Sequence, residues 1–329
     1  MTETILILQP VAAELRDIIV AELRDMGAAE LPPGLVASFT GSAETAELKA
    51  KLADADYVVF WDVGLPAELL HAAPRLKLAH KWGVGVENID LDVARARGVQ
   101  VARTPGSNAV PVAEFAVGLM IAIGRRIVTA HNSMAEGRWA KNEIWRRSIM
   151  LSGKTVGIVG LGAIGKEVAR RLTGFGCTVL YNTRTPLPRA EEIARGVAHR
   201  NLEDLLVQSD FVCLCCPLTP QTRGMIAAAQ LATMKPGSIL VNVARGGIVQ
   251  EADLIAALRE GPLAGAAIDV FEPEPPDPAN PLLHMDNVIV TPHCASTAFE
   301  NSAKGIRQWL ANIGRVARGE ALPETDRVI

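Results

Sequence analysis

Nothing in these 329 residues marks a disulfide scaffold or a structural zinc site. The five cysteines (Cys177, Cys213, Cys215, Cys216, Cys294) show neither CxxC spacing nor a paired framework, so reduced thiols in a cytoplasmic protein are expected. Three of them lie in Asp210-Phe-Val-Cys-Leu-Cys-Cys-Pro-Leu218, where a buried strand uses cysteine as a small hydrophobe. Long apolar runs are lacking too. The longest, Ala109 to Gly124, is broken by Glu114 and is shorter than the ~20 residues that span a bilayer, so it reads as a buried helix. The opening Met1-Thr-Glu-Thr4 has no basic n-region or small-residue cleavage site, and secretion is not expected. Nor does one sign of charge dominate: 33 Lys and Arg face 36 Asp and Glu, a net charge of −3, which leaves no field to hold nucleic acid or anionic lipid. A small-molecule ligand is the default.

What is present is a regular alternation of short apolar runs with stretches of helical periodicity, the pattern of βαβ units around parallel sheets. The class is α/β. At this length two domains are expected, since single domains usually hold about 100–200 residues. Strands are predicted at Thr4–Leu8, Tyr57–Phe60, Leu76–His80 and Val99–Ala102, with a helix over Val11–Met26, forming a smaller first lobe. A hinge is expected in Thr104-Pro-Gly-Ser107, before a helix from Pro111. Six strands follow: Thr155–Val159, Thr178–Tyr181, Phe211–Cys215, Ser238–Val243, Gly265–Asp269 and Val288–Val290. That number matches a complete dinucleotide-binding sheet. A last helix, near Thr297–Val316, has no strand of its own and is expected to cross back. The domains are therefore 1–103 with 299–329, binding substrate, and 104–298, binding the dinucleotide: two doubly wound parallel-sheet domains, one Rossmann-type and one smaller and flavodoxin-like. The proline-rich run at 272–281 reads as a surface loop.

The strand Thr155-Val-Gly-Ile-Val159 leads into Gly160-Leu-Gly162-Ala163-Ile164-Gly165, which opens a helix. Gly160 permits the tight turn, Gly162 admits a pyrophosphate to the backbone, and Gly165 allows the helix to approach the strand. The next strand should end on a carboxylate if NAD is the cofactor, because that group holds the ribose hydroxyls. It ends on Asn182, followed by Thr183 and Arg184, and no carboxylate appears before Glu191. A 2′-phosphate meets no repulsion there, which favours NADP(H) over NAD; in the NAD reading Arg184 is a solvated arginine and Asn182 bonds a ribose hydroxyl.

Reduction of a 2-oxo acid needs a cation for the carboxylate, a proton donor for the carbonyl oxygen, and a partner that keeps the donor protonated. These types follow strands of the second lobe in Asn242-Val243-Ala-Arg245-Gly-Gly, Asp269-Val-Phe-Glu-Pro-Glu274 and Thr291-Pro-His293. Strand C-terminal ends are where such sheets bind ligands.

With the glycine fingerprint, these segments resemble the D-isomer-specific 2-hydroxyacid dehydrogenase family, and within it the glyoxylate/hydroxypyruvate reductase branch. The resemblance also takes in Lys81-Trp-Gly-Val84-Gly85-Val-Glu-Asn-Ile-Asp90, Pro105-Gly-Ser-Asn108, Val112-Ala-Glu114 and Cys216-Pro217-Leu-Thr-Pro-Gln-Thr222, so it covers nearly the whole chain. It implies that Arg245 binds the substrate carboxylate and carbonyl oxygen, that His293 is the acid in reduction and base in oxidation, and that Glu274 raises the proton affinity of His293. It implies cofactor contacts at Pro217, Thr222, Val243 and Asp269 beside those of the fingerprint, with Asp269 near the nicotinamide and His293 in a supporting rather than catalytic role, and substrate contacts from the amides of Val84 and Gly85. It also implies a homodimer through the helix bearing Phe115, Leu119 and Ile123, whose spacing equally fits core packing. No metal is implied.

Two departures stand out. Glu87 replaces the aspartate of many relatives, and Asn182 bears on cofactor choice. Phe60 and Trp61 suit either a substrate wall or the core. His71, His80, His131, His199 and His284 lack a catalytic context and are expected to be structural or exposed. Other functions of the same fold stay open: a phosphoglycerate-, formate- or phosphite-type dehydrogenase, or a dinucleotide-sensing corepressor-like protein.

Overall fold

In the computed structural model, residues 3–329 are described, apart from the side chains of residues 27–29. Met1 and Thr2 of the opening Met1-Thr-Glu-Thr4 lie outside the described residues. The chain divides into two units, one running to Asn108 and resuming at Ala298–Ile329, the other Ala109–Thr297.

In the first unit, β1 (Thr4–Ile7), β2 (Val36–Phe39), β3 (Tyr57–Phe60), β4 (Leu78–Lys81) and β5 (Gln100–Arg103) form a parallel sheet in the order β2-β1-β3-β4-β5. This is the flavodoxin-like order. The helix Phe299–Ala317 lays Ile306, Trp309, Leu310 and Ile313 on Ile5, Ile7, Tyr57 and Val59, which returns the C-terminal segment to this sheet. A polar link accompanies it. The Asn312 amide donates to buried His80 on β4 (3.0 Å) and to Asp326 (2.9 Å), and burial pushes the imidazole of His80 down to about 4, so it is neutral. The unit runs five residues beyond the Arg103/Thr104 boundary expected from sequence. The reason is local: Thr104 and Gly83 exchange hydrogen bonds, the Gly83 N–H donating to Thr104 Oγ1 (2.8 Å) and the Thr104 N–H to the Gly83 carbonyl (2.9 Å).

In the second unit, β6 (Thr155–Val159), β7 (Thr178–Asn182), β8 (Val197–His199), β9 (Phe211–Leu214), β10 (Ser238–Asn242), β11 (Leu263–Ile268) and β12 (Val288–Val290) form a parallel sheet in the order β12-β11-β10-β9-β6-β7-β8. The direction of winding reverses between β6 and β9, and crevices at such reversals bind ligands. This sheet has seven strands where the sequence reading expected six, and the first sheet gains β2. Both additions are short edge strands. An edge strand faces a neighbour on one side only, so Val36–Phe39 and Val197–His199 need no continuous apolar run. The helix Ala109–Gly124 is buried along most of its length, Leu119 and Ile123 included, and belongs to the core of its own unit.

Candidate active site

The turn after β6 shows why it is built from glycine. Gly160 has φ +96°, and a Cβ there would lie 2.6 Å from the Cys216 amide nitrogen that begins the loop after β9. A Cβ on Gly165 would collide with the Gly160 carbonyl, so only glycine lets the helix Ala163–Leu172 start this close to the strand. Around Gly162, by contrast, an added Cβ would meet nothing within 4 Å. The helix begins there without a side-chain cap, so the first-turn amides of Ala163 and Ile164 and the positive end of the helix dipole face open space. This cradle fits a dinucleotide pyrophosphate.

At the end of β7, the Asn182 amide donates to the Arg200 carbonyl (2.9 Å) and Thr183 Oγ1 donates to the Thr185 carbonyl (2.9 Å). The pairing of Tyr181 with His199 brings His199 and Arg200 beside them. Arg184 is exposed at this corner. The nearest acids on the following helix are already engaged: Glu192 accepts from Tyr181 (3.0 Å) and the His199 amide (3.0 Å), and Glu191 accepts from Arg195 (2.8 Å). Only the β7–β8 register, through a strand not expected from the sequence, carries His199 and Arg200 here.

The loops after β9, β10, β11 and β12 carry the remaining residues. Thr222 donates to the Pro217 carbonyl (2.7 Å) and accepts from the Thr219 amide (2.8 Å), which closes the loop after β9. Buried Asn242 shapes the turn after β10: its amide donates to the Arg245 carbonyl (3.0 Å) and its oxygen accepts from Ala244 N–H (3.1 Å), while Val243 is buried between them. Arg245 follows with extended backbone.

Glu274 accepts from Phe271 N–H (2.9 Å) through one oxygen and from His293 Nδ1 (2.7 Å) through the other. The pairing identifies Nδ1 as the protonated nitrogen and leaves Nε2 to exchange a proton. The hydrogen bond to Glu274 is the largest influence on His293, and it raises the proton affinity of the imidazole against the opposing effects of burial and Arg245. Burial pushes Glu274 up, but the hydrogen bonds from His293 and Phe271 and the charges of His293 and Arg245 prevail, so its carboxyl titrates below the usual range. The result is a hydrogen-bonded carboxylate–imidazole pair.

His293 holds φ +49°, a left-handed conformation that costs a non-glycine residue about 1–3 kcal/mol. Asp269 offsets that cost. Buried after β11, it accepts from Thr291 Oγ1 (2.6 Å), Cys294 N–H (2.9 Å) and Ala295 N–H (3.0 Å), and its carbonyl accepts from His293 N–H (2.8 Å). Both side-chain oxygens of Asp269 are spent on the 291–295 turn, so it orients His293. In the first unit, Val84 and Gly85 follow β4 in a partly exposed loop; Phe60 is core, and Trp61 meets Trp82 edge-on at 5.1 Å.

The family model "D-isomer specific 2-hydroxyacid dehydrogenase, NAD binding domain" matches residues 117–295, more than half of the chain. The chain belongs to that family. It is an oxidoreductase that uses a nicotinamide dinucleotide. A glyoxylate reductase of Korarchaeum cryptofilum is 42% identical over 265 residues, which cover 79% of this chain and 78% of that one. A D-3-phosphoglycerate dehydrogenase of Archaeoglobus fulgidus is 45% identical over 235 residues, but this chain spans only 44% of its length. Among solved structures, the NAD-dependent formate dehydrogenase of Staphylococcus aureus in complex with NAD matches with TM-score 0.85 at 27% identity, covering 100% of this chain and 99% of that one. Other 2-hydroxyacid dehydrogenases share both parallel-sheet units. No described helix is long and apolar enough to cross a membrane.

Proposed function

We propose that this dehydrogenase reduces small 2-oxo acids such as glyoxylate or hydroxypyruvate, with Arg245, Glu274 and His293 as its catalytic set and NADPH as its preferred reductant. One observation carries the reading: a hydrogen-bonded carboxylate–imidazole pair and an arginine close enough to bias both stand at the carboxyl ends of the sheet that also bears the Gly160–Gly165 turn.

The planar guanidinium of Arg245 binds the substrate carboxylate and polarises the carbonyl. His293 Nε2 gives its proton to the carbonyl oxygen as charge develops there, and takes it back in the reverse reaction. Glu274 holds Nδ1–H so that Nε2 keeps its direction and the imidazolium is stabilised. The reduced nicotinamide supplies the hydride when bound. Gly160, Gly162, Ala163, Ile164 and Gly165 receive its pyrophosphate, and Pro217, Thr222 and Val243 border the nicotinamide half.

Preference for NADPH rests on Arg184, with Asn182 and Thr183, in a corner where the neighbouring carboxylates are bonded elsewhere. The protein acts in the cytoplasm as a homodimer. Support for the dimer is a run of exposed apolar side chains over one segment: Ile127 (50% exposed), Met134 (56%), Trp139 (78%), Trp145 (77%) and Met150 (64%). The test is steady-state oxidation of NADPH and NADH with glyoxylate, hydroxypyruvate, pyruvate and bulkier 2-oxo acids, with 3-phosphoglycerate plus oxidised cofactor and formate plus oxidised cofactor as controls. Turnover only with one of the controls would replace the reading by a phosphoglycerate- or formate-type activity.

A further inference from the structure

Three segments that carry the proposed chemistry meet at one ion pair to which neither the family match nor the catalytic reading gives a role. Arg223, next to Thr222 in the loop after β9, donates two hydrogen bonds to Glu272, at 2.6 and 3.1 Å. Glu272 lies in the loop that ends on Glu274. Beneath the pair runs the turn that follows Arg245: a Cβ on Gly247 would collide with Glu272 and lie 2.9 Å from Arg223 Nη1, and a Cβ on Gly246 would collide with the Phe271 carbonyl group. Backbone bonds tie the same segments, since Gly224 N–H donates to the Gly247 carbonyl (2.8 Å) and Ile226 N–H to the Ile248 carbonyl (3.1 Å).

We infer that Arg223 and Glu272 are positioning residues that clamp the Thr222 loop to the Glu274 loop across the Arg245 turn, and so set the aim of Glu274 at His293. The inference rests on the proposed catalytic set. Both side chains are about half exposed, at 54% and 49%, and such a pair contributes little to the stability of a fold. Its leverage is geometric. Glu274 is aimed by the Phe271 N–H bond, Glu272 sits between those two residues, and a displacement of about 1 Å in a catalytic group is enough to cost up to about a hundredfold in rate. The fork of Arg223 is suited to this duty because two parallel bonds fix an orientation as well as a distance.

The experiment compares R223Q, E272Q, R223Q/E272Q and the charge exchange R223E/E272R with the parent chain. Four quantities are read: kcat and KM for the 2-oxo acid, NADPH affinity by fluorescence, Tm, and the titration of the His293 imidazole by NMR. Each single variant is expected to lose about tenfold in kcat/KM, mainly in kcat, with Tm within about 2 °C and NADPH affinity within about twofold. The double variant should lose no more than either single one, and the exchange should recover part of the rate. In the single variants the imidazole should titrate at lower pH as its bond to Glu274 loosens. Parental kcat/KM with an unchanged imidazole titration, losses that add in the double variant, a charge exchange that recovers nothing, or a fall in Tm large enough to explain the rate would each overturn the clamp. The imidazole titration needs no turnover. A parent chain inactive on every 2-oxo acid would therefore sink the proposed function while the clamp was still decided by NMR.

Discussion

His293 has two nitrogens with different duties, and the division between them makes the site testable by pH. In the reducing direction Nε2 must hold a proton, and the Glu274 bond to Nδ1 raises the imidazole above its ordinary range. Activity therefore persists below the raised pKa and falls as pH climbs through it. Glu274→Gln removes the raising partner while burial and Arg245 still lower the group, so the basic limb of kcat should move to lower pH, with a loss of roughly tenfold on that limb. A basic limb that stays in place would mean that another group donates the proton. Arg184 is tested by cofactor. Arg184→Ala should raise KM for NADPH by roughly tenfold or more, the scale of one charge-assisted hydrogen bond, and leave NADH within about twofold. Equal effects on both would remove the phosphate from that corner. At this scale the bond between Glu274 and His293 and a supporting place for Asp269 near His293 were expected from the resemblance. The individual bonds of Asp269 to the 291–295 turn and the engagement of Glu192 were not legible, since they join residues 26 and 7 apart.

Among the elements, the β6 turn and the helix Ala163–Leu172 separate two uses of glycine that a motif string merges. Gly165 is needed by the fold, because a Cβ there strikes the Gly160 carbonyl, whereas the space around Gly162 is open. Gly165→Ala is expected to lower Tm, with a cost of about 1–3 kcal/mol for overpacking, and to weaken NADPH binding. Gly162→Ala should leave Tm nearly unchanged and still weaken NADPH, since only the ligand needs that space. Thermal melts paired with fluorescence titrations distinguish them, and equal Tm losses would contradict the assignment. Interior strands were legible from continuous apolar runs, Tyr57–Phe60 and Thr155–Val159 to the residue. The edge strands β2 and β8 were not, and β8 brings His199 and Arg200 beside Asn182.

For the whole molecule, the balance of charge agrees with a small-molecule ligand, and the crossing of Phe299–Ala317 back to the first sheet gives that unit its last layer. The stripe of Leu119 and Ile123 is consumed in the core, so the proposed dimer falls to the exposed segment beyond it. Changing Trp139 and Trp145 together to Lys should convert a species of twice 35.1 kDa into one of 35.1 kDa by light scattering; an unchanged mass would move the contact elsewhere. The central claim is the reaction at Arg245, and one pair of traces tests it most directly. Absorbance of NADPH is followed with glyoxylate and with hydroxypyruvate, for the parent chain and for Arg245→Ala. The parent should oxidise NADPH steadily, and the variant should lose at least about a hundredfold in kcat/KM, about 2.7 kcal/mol. A flat trace from the parent with every 2-oxo acid, or parental kcat/KM in the variant, would contradict it.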